Sequence, residues 1–75
     1  MDAWVLLRLE RSEIYFLRYT LEAYEGLCVT TTLPGGEGLI RLSTSSEQLP
    51  TLLEILENLA SETPLSILET TEAPA

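Results

Sequence analysis

An α+β sandwich, with its elements in the order strand, helix, strand, strand, helix, strand, is the fold class this sequence predicts. Three observations carry it. Short β-branched or alternating apolar segments are separated by two stretches of helical period. Glycine and proline fall where helices must end or strands reverse. All of this fits into 75 residues, which leaves room for one domain.

Trp4 to Leu9 reads as the first strand. Val5, Leu7 and Leu9 share one face, and Trp4, Leu6 and Arg8 share the other. Both faces are more apolar than a solvent-facing strand requires, which suits a central position. Glu10, Arg11 and Ser12 form a short connection. Ser12 is placed to cap the first helix, with Glu13 in its first turn where an anion suits the helix dipole. The apolar stripe Ile14, Leu17, Leu21 and Tyr24 carries that helix to about Glu25, and Gly26 follows as a left-handed terminator.

Leu27 to Leu33 is rich in β-branched residues and reads as the second strand. Pro34, Gly35 and Gly36 have the chemistry of a tight turn, and Gly38 to Ser43 returns as the third strand. Ser43 to Ser46 is a polar link. The second helix starts either with Ser46 as cap or at Pro50 after a loose turn, and ends near Ser61. Leu49, Leu52, Leu53, Leu56, Leu59 and Ala60 make its wide apolar face. Thr63 and Pro64 break the chain, and Leu65 to Thr70 is the last strand.

Right-handed crossovers put both helices on one face of an antiparallel sheet. The expected architecture is therefore a ferredoxin-like βαββαβ sandwich with strand order 4-1-3-2. The domain is expected to span residues 1–70, with 71–75 a disordered tail.

Composition narrows the function classes. Twelve carboxylates face four arginines, there is no His or Lys, and the net charge is −8. Such a field repels phosphate, so nucleic acid and anionic membranes are not expected partners. No apolar run approaches the ~20 residues of a membrane span, and Asp2 sits where a signal peptide would carry a cation. A single Cys and no export signal favour the cytoplasm. One Cys without His makes neither a disulfide nor a zinc site. The carboxylate pairs Glu22/Glu25 and Glu54/Glu57 have no third ligand and read as solvated faces, so neither metal nor cofactor is expected. Cys28 has no cation nearby in sequence to activate it and reads as a packed thiol. With no catalytic constellation in view, the chain is not expected to be an enzyme.

The first helix carries a second apolar stripe: Phe16, Tyr19, Thr20 and Ala23, roughly opposite Ile14, Leu17 and Leu21. A helix apolar on two sides is covered on two sides. Leaving Phe16 and Tyr19 in water forgoes about 1.5–3 kcal/mol for each, a large share of the stability of so small a domain. These four residues are the expected interface with another copy of the chain. At the start of the same helix, Arg11 and Ser12 could hold a carboxylate or phosphate on free N–H groups, although Glu10 and Glu13 oppose an anion there.

The segment RSEIYFLRYTLEAYEGLCVTTTLPGGEGLIRLS resembles a family of short uncharacterised bacterial domains related to ACT domains, the matching part running from about Ile14 to Ser43 and most closely over LEAYEGL (Leu21 to Leu27). The resemblance implies a βαββαβ module that forms homodimers or larger assemblies. It also implies a small metabolite, such as an amino acid, bound at a subunit interface near the first strand–helix loop, which makes Arg11, Ser12 and Glu13 the ligand positions. This loop lacks the glycine that lets ACT backbone approach a ligand. That departure weighs against amino-acid binding and leaves the fold and the dimer unaffected. The expected function is thus a non-catalytic self-associating module in assembly or regulation, with a sensor of carboxylate-bearing metabolites as the alternative.

Overall fold

β1 (Ala3–Leu9) lies inside a four-stranded sheet, with β3 (Leu39–Thr44) on one side and β4 (Leu65–Thr70) on the other. β2 (Val29–Thr32) completes the order β2-β3-β1-β4, and every pairing is antiparallel. This is the expected 4-1-3-2 order read from the opposite edge. The computed structural model describes residues 2–34 and 38–71. The expected turn residues Gly35 and Gly36, and residues 72–75 of the expected tail, lie outside the described residues.

The two faces of β1 separate as its alternation requires. Ala3, Val5, Leu7 and Leu9 are buried, together with Ile40 and Leu42 of β3. They form one core with Leu17 and Leu21 of α1 (Ile14–Glu22) and Leu49, Leu52 and Leu56 of α2 (Leu49–Ala60). Both helices therefore cover the same face of the sheet. The other face, with Trp4, Leu6 and Arg8, has no layer over it among the described residues.

Several local expectations are corrected. A 3-10 turn over Arg11–Glu13 leads directly into α1, and Ser12 caps nothing. The extended backbone a side-chain cap needs falls at Glu10, with φ −65° and ψ 144°, and its side chain makes no cap bond, while Glu13 precedes α1 in helical conformation. α1 ends at Glu22, three residues early, and Tyr24 leaves the core stripe because it sits in the following turn, 47% exposed. That turn closes with the Leu27 N–H donating to the Tyr24 carbonyl at 3.2 Å, and Gly26 supplies its left-handed φ of 72°. β2 is shorter than expected at both ends.

β3 extends one residue further, to Thr44, which is fully buried. Its hydroxyl donates to the Leu27 carbonyl at 2.7 Å, which removes the cost of burying a polar group. α2 begins at Leu49 with Pro50 in its first turn, where a missing N–H costs nothing. The preceding turn rests on Ser45, whose hydroxyl and carbonyl both accept from the Gln48 N–H, at 3.2 and 3.1 Å. Asp2 adds its carboxylate, accepting from the Ser46 N–H at 2.9 Å and the Ser46 hydroxyl at 2.8 Å.

The last strand matches its expected bounds. Thr71 is tied to β1: its hydroxyl accepts from the Trp4 N–H at 2.7 Å, and its own N–H donates to the Trp4 carbonyl at 3.0 Å. Among the described residues, no helix is long and apolar enough to cross a membrane.

Candidate functional site

Three surfaces concentrate chemistry or unpartnered apolar area. The first is the outer side of α1. A nine-residue helix buries Leu17 and Leu21 against the sheet, and the 100° step per residue then carries residues 15, 16 and 19 away from it. Tyr15 is 82% exposed, Tyr19 72% and Phe16 46%. Ala23 is exposed and Thr20 half-buried, with the Thr20 hydroxyl donating to the Phe16 carbonyl at 2.8 Å. The four residues expected at an interface thus stand on the outer side of the molecule. Tyr15 belongs with them, and its position one residue before Phe16 and four before Tyr19 was the signal for it. A narrow groove of about 180 Å³, lined by Thr20, Tyr24, Ile55, Asn58, Leu59 and Glu62, separates this surface from α2.

The second surface is the loop after β1. Arg11, Ser12 and Glu13 are neighbours in one 3-10 turn, with Arg11 and Ser12 exposed and Glu13 half-buried. The Glu13 N–H is spent on the Glu10 carbonyl at 2.9 Å, which removes one donor that an anion could use. The adjacent cleft, about 430 Å³ and open to solvent, is lined by Arg8, Leu9, Glu10, Pro64, Leu65 and Ser66. None of the three expected ligand residues lines it.

The third surface is the uncovered face of the sheet. Here Trp4, Leu6, Leu33, Arg41 and Glu69 line a cleft of about 260 Å³. The Arg41 guanidinium lies 5.4 Å from the centre of the Trp4 ring, within cation–π range. Alternation along β1 and β3 already placed Trp4, Leu6 and Arg41 on one face. Glu69 could not be read that way, because a bulge in β4 intervenes between Ile67, opposite Leu7, and Glu69, opposite Leu6.

Cys28 is half-buried and packs against the core. Burial raises its thiol pKa above the ordinary 9.0, opposite to what a nucleophile needs. Among the described residues, no three His, Cys, Asp or Glu side chains come together in a way that could hold a metal ion.

Comparison with curated proteins and with solved structures yields no match. A family model described as a domain of unknown function, DUF4911, matches residues 7–63. That range runs from the middle of β1 to the turn after α2 and contains the whole segment Ile14 to Ser43. The chain belongs to the DUF4911 family.

Proposed function

We propose that this chain is a non-catalytic module that associates with copies of itself through the outer side of α1, in an assembly or regulatory role. One observation carries the reading: Tyr15, Phe16 and Tyr19 stand together in water on a single helix face. A chain of this size can hardly spare that much apolar surface without recovering it on assembly. The resemblance to ACT domains supports the same reading. The net charge of −8 argues against nucleic acid and anionic membranes as partners. Sedimentation velocity across a concentration series tests it. The native chain is expected to associate at micromolar concentration and Phe16→Asp to shift it toward monomer. A native chain that stays folded and monomeric throughout excludes the reading.

A second reading is a sensor for a carboxylate-bearing metabolite near the first strand–helix loop. The open cleft that Arg8 and Glu10 line next to this loop is the observation in its favour. A ligand that binds only the folded state raises the melting temperature by mass action. A screen of amino and keto acids should then find a stabilising compound whose effect is lost in Arg11→Ala. No shift with any of them removes this reading and leaves the first.

A further inference from the structure

The uncovered face of the sheet is patterned, and the pattern is self-complementary. Register across β3, β1 and β4 sets Arg41 opposite Leu6 and Leu6 opposite Glu69. The three side chains form one row across the sheet, with a cation and an anion flanking a leucine. The next row along β1 brings Trp4 opposite Ser43, with Val29 beyond on β2. Arg41 is held over this face by its stacking on Trp4.

Glu69 reaches the face only because β4 bulges. Ile67 pairs with Leu7, whose side chain is in the core, and simple alternation would send Glu69 the same way. The extra residue, Leu68, turns Glu69 to the opposite face, where it lines the same cleft as Arg41. Re-aiming a side chain is a recurrent use of a bulge.

We propose that a second copy of the chain stacks on this face, sheet against sheet, about a two-fold axis running along β1. Such an axis keeps positions along the strand and exchanges the two sides of it. Leu6 then meets Leu6 and Trp4 meets Trp4, while Arg41 of each copy meets Glu69 of the other. An axis across the strands would instead bring Arg41 onto Arg41. A two-fold contact must present the same patch from both sides, and this row satisfies that with two ion pairs around an apolar centre. Arg8 meets its counterpart at the end of the strand, where both guanidinium groups reach water. Facing sheets pack about 10 Å apart, and three rows on four strands cover roughly 400 Å². That is below the ~800 Å² per partner of a standard interface, so the pairing is weak and concentration-dependent. It is separate from the α1 contact, and the two together would build assemblies larger than a dimer.

Charge reversal tests it. The experiment uses the full chain carrying Phe16→Asp, so that association through α1 does not contribute. R41E and E69R are each made in that background, and circular dichroism with a melt confirms that each folds. Alone, each variant sets like charges against each other at both pairs and should bind itself at least about tenfold more weakly than its parent. Mixed in equal amounts, they present opposite charges at both pairs. Mixed dimers should form by native mass spectrometry, with a concentration-dependent change in emission from the single Trp. A parent that is monomeric at every concentration overturns the proposal. So do single variants that pair as well as the parent, or a mixture that fails to recover pairing. None of these outcomes bears on the α1 contact, which the Phe16→Asp comparison in the native chain decides separately.

Discussion

Gly38 and Leu9 approach so closely that residue 38 has no space for a side chain. The Leu9 N–H donates to the Gly38 carbonyl at 3.0 Å. A β-carbon on residue 38 would run into the Leu9 carbonyl oxygen, and the φ of 77° there is left-handed. This contact joins the end of β1 to the entry of β3 and helps to set the register of the central strand pair.

Gly38→Ala is therefore expected to destabilise the fold well beyond the ~1–2 kcal/mol that left-handed backbone costs a non-glycine residue. Gly26→Ala is the comparison: its φ is also positive, at 72°, but no atom lies within 4 Å of the added carbon. It should cost about 1–2 kcal/mol. Urea titrations of both variants check this, and equal losses would mean that the Leu9 contact does not matter.

Asp2 supplies a pH-dependent link between the start of the chain and α2. Its carboxyl is held below the usual 3.8, first by the Ser46 hydroxyl and then by the Ser46 N–H. The folded state thus binds this proton less tightly than the unfolded state. The stabilisation is complete above about pH 4 and is lost as pH falls through the lowered folded value. Asp2→Asn should melt below the native chain at pH 7, with the gap closing in acid. Because Asp2 is exposed, the gap will be small. A gap unchanged down to pH 2 would rule out the linkage.

Thr44 is the polar side chain most deeply placed in the core. Its hydroxyl donates to the Leu27 carbonyl. With the Gln48 amide assigned so that its nitrogen faces the Gly26 and Leu27 carbonyls, it donates to them at 3.0 and 3.2 Å. Thr44→Val keeps the shape and removes one of these donors, at a cost of about 1 kcal/mol. Thr44→Val with Gln48→Leu strips the Leu27 carbonyl of both, and should lose more than the sum of the single variants. A double-mutant cycle by chemical denaturation measures the difference.

The Cys28 thiol, raised in pKa by burial, should react slowly with iodoacetamide in the folded protein at pH 8 and rapidly in denaturant. The folded rate should keep rising beyond pH 9, since the thiolate is the reacting form. A folded rate equal to that of free cysteine would mean that the strand opens readily.

Much of this fold was legible in the chain because it rests on local period. The alternation of Val5, Leu7 and Leu9 against Trp4, Leu6 and Arg8 defines both faces of a central strand before any partner is known. The Leu49–Leu52–Leu56 repeat defines the buried side of α2 in the same way, and the crossover rule then leaves one strand order. The exposed α1 stripe was visible for the same reason, as a second apolar side on one helix. The role of Ser12 is not legible in this way, because a cap depends on backbone conformation at one residue, and the 3-10 turn over Arg11–Glu13 settles that conformation. The place of Thr71 is not legible in local pattern because it rests on three hydrogen bonds with Trp4, on a strand 67 residues away.

Which faces are apolar, the order of the helices and strands, and the acidic surface are all legible before the chain folds. Each follows from residue spacing and composition. Only the folded chain brings Leu9 against Gly38, links Asp2 to Ser46 and sets Arg41, Leu6 and Glu69 in a single row. Those depend on register between distant strands, and in β4 on one bulged residue that reverses the side on which Glu69 stands.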